Sequence, residues 1–138
     1  MDITNFSDFL AAARTQDQPQ RLLFLFAVRE LPPNHTPGQK KRFETGQGGA
    51  LTPVMCVDKG VDKGVDELRD FATLAQESRQ TGQPWDVAFA AALAGQDGAA
   101  PAPADIERAL RMMVDAVHRG AIERFIAFDP QGEAMRFK

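Results

Sequence analysis

The sequence has few of the side chains that carry most catalytic and metal-binding chemistry. It contains no tyrosine, one cysteine and two histidines in 138 residues. A single cysteine excludes an internal disulfide, a CxxC redox pair and a zinc site built from several thiolates. The two serines, Ser7 and Ser78, lie outside any Gly-x-Ser-x-Gly motif, so a serine hydrolase of that type is not expected.

A positive charge excess and long hydrophobic runs are also absent. Sixteen Lys and Arg against nineteen Asp and Glu give a net charge of −3, whereas nucleic-acid and anionic-membrane binders carry a basic excess. Apolar runs such as residues 22–28 are far shorter than the ~20 residues of a membrane-spanning helix. The first residues lack the basic segment and apolar core of a signal peptide. We therefore expect a cytoplasmic protein that binds neither nucleic acid nor a membrane.

The remaining composition is that of a folded globular chain. Hydrophobic residues make up 43% and charged residues 25% of the sequence, which is ordinary for soluble domains. Because single domains commonly contain about 100–150 residues, we expect one domain over residues 1–138.

Apolar residues at helical spacing predict three main helices. In chain order they run from Ile3 to Ala13 with Thr4 or Asn5 as N-cap, from Asp62 or Asp66 to Gly82, and from Asp105 to Gly120. One or two further helical turns are compatible with residues 40–45.

Five short apolar runs predict strands. They are residues 21–28, 51–58, 85–93, 124–128 and 133–137. Alanines in the third run favour a helix, but its length and the following Gly95 favour a strand. Pro53 has no N–H to donate, so pairing of the second strand is expected from Val54. Asp129-Pro130-Gln131-Gly132 has the composition of a β-turn before the last strand.

The order of these elements predicts an α/β fold. Strands alternate with helices from residue 51 to residue 128, which indicates two consecutive crossover connections. We therefore expect a small mixed sheet with a parallel βαβαβ core, flanking helices and a C-terminal β-hairpin. The first strand and the last hairpin arm are expected at antiparallel edges.

A four-residue duplication interrupts this pattern. Val57-Asp58-Lys59-Gly60 is followed at once by Val61-Asp62-Lys63-Gly64. A repeat this short does not make a solenoid. We interpret the second copy as an insertion that lengthens a surface loop between a strand and a helix.

Acidic residues follow the ends of three predicted strands. Asp58 with Lys59, Asp97, and Asp129 stand at these positions, and the carboxyl ends of parallel strands meet at one edge of a sheet, where ligands bind. Three carboxylates and a lysine there are candidates for holding a small ligand or a hard cation such as Mg²⁺. Aspartates also cap helices and start turns, so no metal and no cofactor is assigned.

The long segment around residues 31–50 carries the one basic cluster. His35, Lys40, Lys41 and Arg42 lie there between proline-rich and glycine-rich stretches. Long irregular segments often serve as binding loops. These four residues are candidate contacts for an anion or a partner, and a solvated charged face is the alternative.

Cys56 lies between apolar residues of the second predicted strand. Because free cysteine is among the most frequently buried residue types, we expect it to be buried and structural rather than nucleophilic.

Three segments together resemble a known family. They are Pro19-Gln20-Arg21-Leu22-Leu23-Phe24, then Gly48 to Lys59, and Glu77-Ser78-Arg79-Gln80-Thr81-Gly82 followed by Trp85-Asp86. Nearly the whole chain resembles a family of small bacterial proteins that carry the label "ribonucleotide reductase subunit alpha". The resemblance implies an association with nucleotide metabolism and supplies no catalytic residue. Ribonucleotide reduction requires several cysteines, so a chain with one cysteine is not expected to be a reductase itself.

Two functional hypotheses follow from these observations. The first is a non-catalytic interaction or regulatory domain, which contacts an unknown protein partner through an edge strand or through residues 31–50. The second is an enzyme that binds a small ligand or a divalent cation at the acidic strand ends. A weak homodimer is also expected, because Phe137 lies on a predicted edge arm and Trp85 begins an apolar segment. The charges of Arg136 and Lys138 on the same arm oppose this pairing.

Overall fold

The structure, a computed structural model, describes most of the chain. The described residues are 3–31, 34, 36–44, 50–62, 65–66 and 70–135. The helices and strands in chain order are α1 (Phe6–Arg14), β1 (Gln20–Glu30), α2 (Pro37–Glu44), β2 (Ala50–Asp62), β3 (Val65–Asp66), α3 (Phe71–Arg79), β4 (Val87–Ala94), α4 (Pro103–His118), β5 (Ile126–Phe128) and β6 (Ala134–Met135).

The strands form one antiparallel sheet in the order β3-β2-β1-β4-β5-β6. The predicted parallel βαβαβ core is therefore wrong, and the fold is of the α+β type. β2 and β4 run in the same direction, but β1 lies between them and pairs with both. β4 and β5 pair antiparallel although α4 separates them along the chain.

The central position of β1 has a simple physical cause. Its residues Leu22 to Ala27 are all buried, so both faces of this strand must be covered by other elements. An edge position would leave one side of this apolar strand near solvent. The prediction that β1 lies at an antiparallel edge is therefore wrong. β1 lies in the middle of the sheet, between β2 and β4.

Helices cover both faces of the sheet. On one face α1 and α3 pack against Phe24 and Phe26 of β1, with Phe6 in contact with the ring of Phe24 at 5.8 Å between centroids. On the other face α4 packs Met113 and Val117 against Leu25, Phe89 and their neighbours. The result is three layers with a separate apolar core on each side of the sheet.

Helix starts follow local capping chemistry. Asn5 caps α1, as predicted, and its side-chain oxygen accepts a hydrogen bond from the Asp8 N–H at 3.0 Å. The cap of α3 is Asp70 rather than Asp62 or Asp66. At α4 the N-cap is Ala102 and Pro103 stands at the first position, with the predicted cap Asp105 inside the first turn.

The duplicated segment belongs to the sheet. Val61 is 2% exposed and pairs with Gln20 of β1. Val61 and Asp62 also pair with Asp66 and Val65 of β3. The interpretation as a surface loop is wrong, because the second copy continues β2 and contributes a core residue. Residues 63 and 64 lie outside the described residues.

The other predicted elements are confirmed with shifted ends. The alanine-rich run is a strand, β4, and the 129–132 turn has a Gly132 N–H to Asp129 carbonyl bond of 3.0 Å. The prediction that pairing of β2 begins at Val54 is wrong. β2 pairs with β1 from Ala50 onward, Pro53 stands opposite Ala27, and the register shift beside Phe26 leaves Val54 as the extra residue of a bulge.

Among the described helices, none is long and apolar enough to cross a membrane.

Candidate functional site

Asp58 and Lys59 lie on opposite faces of the sheet. Asp58 stands opposite Leu23, on the α4 side, and its carboxylate accepts a bond of 2.6 Å from the Arg21 Nε. Lys59 stands opposite Leu22, on the α1 and α3 side, and pairs with Glu77 at 2.9 Å. Because successive side chains of a strand alternate between faces, these neighbours do not contribute to one site.

Asp97 and Asp129 lie at opposite ends of the sheet. Asp97 follows the end of β4 in a tight turn and has a positive φ of 52°. Asp129 follows β5, at the end where β4 begins. Its carboxylate accepts the N–H groups of Gln131 and Glu133 at 2.9 and 3.0 Å, which is the hydrogen bonding of a turn residue.

The antiparallel topology separates the acidic strand ends that a parallel sheet would bring together. Within the described part of the chain, no group of three or more His, Cys, Asp or Glu side chains is placed to hold a metal ion.

The basic residues of the 31–50 segment lie partly on α2. Lys40 and Lys41 are exposed there, and Lys40 Nζ lies 4.0 Å from the Glu44 carboxylate. His35 lies outside the described residues, and of Arg42 only the backbone is described. The pairing of Lys40 along the helix is typical of a solvated helical surface.

Cys56 is exposed, so the prediction of a buried cysteine is wrong. The residue stands opposite Leu25 on the α4 side of β2. At this point β2 has β1 on one side and no described strand on the other, so Cys56 lies near an open edge of the sheet. Neighbouring atoms still desolvate the thiol in part, and this desolvation raises the pKa of Cys56 above its ordinary value.

A groove of about 250 Å³ opens between α4, the second half of β4 and the segment that enters β5. We call it the α4 groove. Its apolar lining comes from the sheet and from the inner side of the helix, and consists of Leu23, Ala91, Ala92, Leu93, Ala109, Met113, Ala116 and Phe125. Its rim carries Met112, Asp115, Arg119 and Arg124.

The short length of β5 explains why the groove exists. β5 pairs only with Ala88 to Ala90, so no described strand lies beside the later residues of β4 on that side. Small side chains on the facing surfaces, including Ala91, Ala109 and Ala116, leave the space unfilled.

The rim of the α4 groove combines one apolar side chain with two arginines. Met112 is 59% exposed and is the large hydrophobic residue that the described chain leaves most open to solvent. Arg119 pairs with Asp115 at 3.1 Å. Among the described residues Arg124 has no ion-pair partner, although it lies in the same rim.

Sequence reasoning selected none of the rim residues. The signal for Met112 was present, because Met113 belongs to the buried stripe of α4 and the adjacent methionine must then face elsewhere. Arg119 and Arg124 carried no such signal, since their relation to the groove depends on the path of the chain after α4.

Comparison of the chain with models of known protein families, with curated proteins and with solved structures gives no match.

Proposed function

We propose that the protein is a non-catalytic interaction domain that binds a segment of a partner protein in the α4 groove. The observation that carries this proposal is the exposure of Met112 beside an apolar groove. Methionine is flexible and polarisable, and it adapts to the surface of a partner better than branched side chains do. An exposed apolar surface with a polar rim is typical of a binding site.

The charge of the rim indicates which partner fits. Arg119 and Arg124 both lie at the groove, and arginine is among the residues that contribute most to protein interfaces. Asp115 offsets only one of these charges. The partner segment should therefore combine an apolar side chain, which enters the groove, with a carboxylate that reaches Arg124.

The alternative of an enzyme at the acidic strand ends has less support. Asp58 is held by Arg21, and Asp129 by backbone N–H groups of its own turn. Neither carboxylate faces a space shared with the other. The groove also gives the interaction hypothesis a more specific location than an edge strand or residues 31–50.

The test is affinity purification from the cell that makes the protein, followed by binding measurements with the purified partner. The test variant is Met112→Glu, and the control is Arg111→Gln. Both change the net charge by −1 on α4, but Arg111 lies outside the groove and is exposed. We expect a partner that binds the wild type and Arg111→Gln alike, and binds Met112→Glu about tenfold more weakly or worse.

Equal binding of every recovered partner to Met112→Glu and to the wild type would contradict the proposal. Because Met112 is exposed, its replacement should change the free energy of unfolding by no more than about 0.5 kcal/mol. Loss of binding is then not explained by unfolding.

The resemblance to the family labelled "ribonucleotide reductase subunit alpha" adds the expectation that the partner acts in nucleotide metabolism.

A further inference from the structure

The second half of β4 has a free edge beside the α4 groove. β1 pairs with β4 from Val87 to Ala94, whereas β5 pairs only with Ala88 to Ala90. In the part of the chain that the structure describes, no strand pairs with residues 91–94 on the β5 side. We call this free position the β4 lane.

The direction of the backbone groups in the β4 lane follows from one hydrogen bond. The Gly95 N–H donates to the Pro19 carbonyl at 2.8 Å, on the β1 side of the strand. Residues of an antiparallel strand direct their N–H and C=O groups alternately to one neighbour and to the other. Ala92 and Ala94 therefore direct these groups into the β4 lane, and both residues are exposed.

The β4 lane and the α4 groove are parts of one surface. Ala91 and Leu93 turn their side chains to the α4 side, and Ala92 lines the groove as well. A strand added in the lane would place every second side chain over the groove, between Phe125 and the methionines of α4. A carboxylate one or two residues away along that strand reaches the rim that holds Arg119 and Arg124.

We infer that the partner segment binds as an added β-strand in the β4 lane, and that it carries an apolar residue close to an acidic one. This inference rests on the proposed function and specifies how the same site is used. Strand addition supplies affinity through main-chain hydrogen bonds to Ala92 and Ala94, while the groove selects the side chain. Arg124, which has no ion-pair partner among the described residues, selects the acidic residue of the segment.

The other long edge of the sheet is less suited to an added strand. β2 carries Pro53 next to a bulge, and it also carries the charged residues Asp58 and Lys59. Proline, bulges and charges are the features that discourage edge pairing. Residues 91–94 carry none of these features, since they are three alanines and one leucine.

The test begins with selection of binders from a phage-displayed library of random dodecapeptides on the full chain. A synthetic peptide of the enriched sequence is then added to the protein, and exchange of single amides is followed by NMR. In the free protein we expect fast exchange at Ala92 and Ala94, and slow exchange at Ala91 and Leu93, which face β1. With the peptide bound, exchange at Ala92 and Ala94 should slow about tenfold or more.

Substitutions test the side-chain part of the inference. Arg124→Glu should weaken binding of the selected peptide about tenfold or more, because a charge-assisted hydrogen bond is lost and repulsion replaces it. Arg111→Glu makes the same change of charge outside the groove and should leave affinity within about twofold. Ala92→Pro removes the outward N–H and should weaken binding, provided that the amide spectrum shows an intact fold.

The outcomes separate this inference from the proposed function. Binding that depends on Met112 but leaves Ala92 and Ala94 unprotected overturns strand addition and leaves the groove as a docking site. Binding that ignores Met112→Glu contradicts the proposed function itself. A library without any binder also overturns strand addition. The protein is also measured without peptide at increasing concentration. If amide exchange at Ala92 and Ala94 then slows, a second copy of the chain occupies the β4 lane, and the inference is likewise overturned.

Discussion

Trp85 and Ser78 form a hydrogen-bonded pair that joins α3 to the segment before β4. The Trp85 Nε1–H donates to the Ser78 hydroxyl at 2.8 Å, and that hydroxyl donates to the Ala75 carbonyl at 2.6 Å. Ser78 is 3% exposed, and the Trp85 ring packs on Phe26 with 4.8 Å between centroids. The Ser78 hydroxyl thus gives the indole N–H of Trp85 a hydrogen-bond partner within an apolar layer.

Replacement of this serine should therefore lower stability. We expect Ser78→Ala to reduce the free energy of unfolding by about 1–3 kcal/mol, because the indole N–H loses its partner in a half-buried position. The measurement is urea denaturation followed by fluorescence, which reports on Trp85 because the chain has one tryptophan. The control is Ser7→Ala, at an exposed position of α1, with a change within about 0.5 kcal/mol. Equal effects of the two substitutions would show that the bond does not contribute to stability.

Cys56 gives a prediction about pH. Because desolvation raises its pKa in the folded state, less of the reactive thiolate is present at a given pH than in the unfolded chain. We expect the native thiol to react completely with a disulfide reagent, since it is exposed, but with a rate that rises at higher pH than in the same protein unfolded in urea. A native thiol that fails to react, or coincident pH profiles in the two states, would refute this account.

At the scale of elements, the described part of the duplicated segment forms the end of β2, which pairs with β3. Its second copy is identical to the first, and Val65-Asp66 repeats the same two residues again. If residues 61–64 are deleted, Val65 follows Gly60 directly and restores the sequence Val-Asp at the end of β2. The pairing of β3 with β2 is then lost, but the core position now held by Val61 is filled by an identical side chain.

We therefore expect the deletion of residues 61–64 to cost less stability than one substitution within it. Loss of the two residue pairs of β3 should lower the free energy of unfolding by about 1 kcal/mol. Val61→Ala should lower it by about 2 kcal/mol, because it leaves a cavity at a fully buried site. Both are measured by urea denaturation. A deletion more damaging than Val61→Ala would show that Val65 does not take its place.

Elements were predictable from the sequence, whereas their arrangement was not. Periodicity locates α1, α4 and all the longer strands, because burial of one helical stripe or of both strand faces leaves a local pattern. The order of strands is not local. A helix between two strands is compatible with a parallel crossover, with a crossover past a third strand, as between β2 and β4, or with an antiparallel pair, as between β4 and β5.

The candidate site failed to emerge from the sequence for the same reason. The α4 groove joins Leu23, residues 91–93, residues 109–119 and residues 124–125, which are far apart along the chain. The acidic strand ends looked like one site only as long as the strands were taken to be parallel. One informative signal was available, because a strand apolar on both faces, such as β1, belongs in the middle of a sheet.

At the scale of the whole molecule, helices cover both faces of the sheet, and the described strands leave several stretches of edge unpaired. One is the β4 lane. Another is the outer side of β2, where no described strand flanks residues 50–60. Open edges allow pairing with further strands, and their sequences decide which strand is accepted. The alanine-rich lane suits a short foreign segment, whereas the longer and charged β2 edge suits a weaker and more selective contact.

The β2 edge gives the last prediction, a weak homodimer. Trp85 does not supply the dimer contact expected from the sequence, because its ring packs against Phe26 and Phe71 of the same chain. Phe137 lies outside the described residues. The β2 edges of two protomers can pair antiparallel across a two-fold axis. Two-fold symmetry is the commonest symmetry among oligomers. Pro53 and Lys59 weaken this pairing without preventing it in one register.

We expect the mass measured by light scattering to rise from 15.1 kDa as concentration increases into the high micromolar range. Nitroxide labels on Cys56, which needs no mutation, should then show a short distance between protomers, because Cys56 lies on β2. A constant monomer mass would refute the dimer, and a dimer with distant labels would show that a different edge forms it.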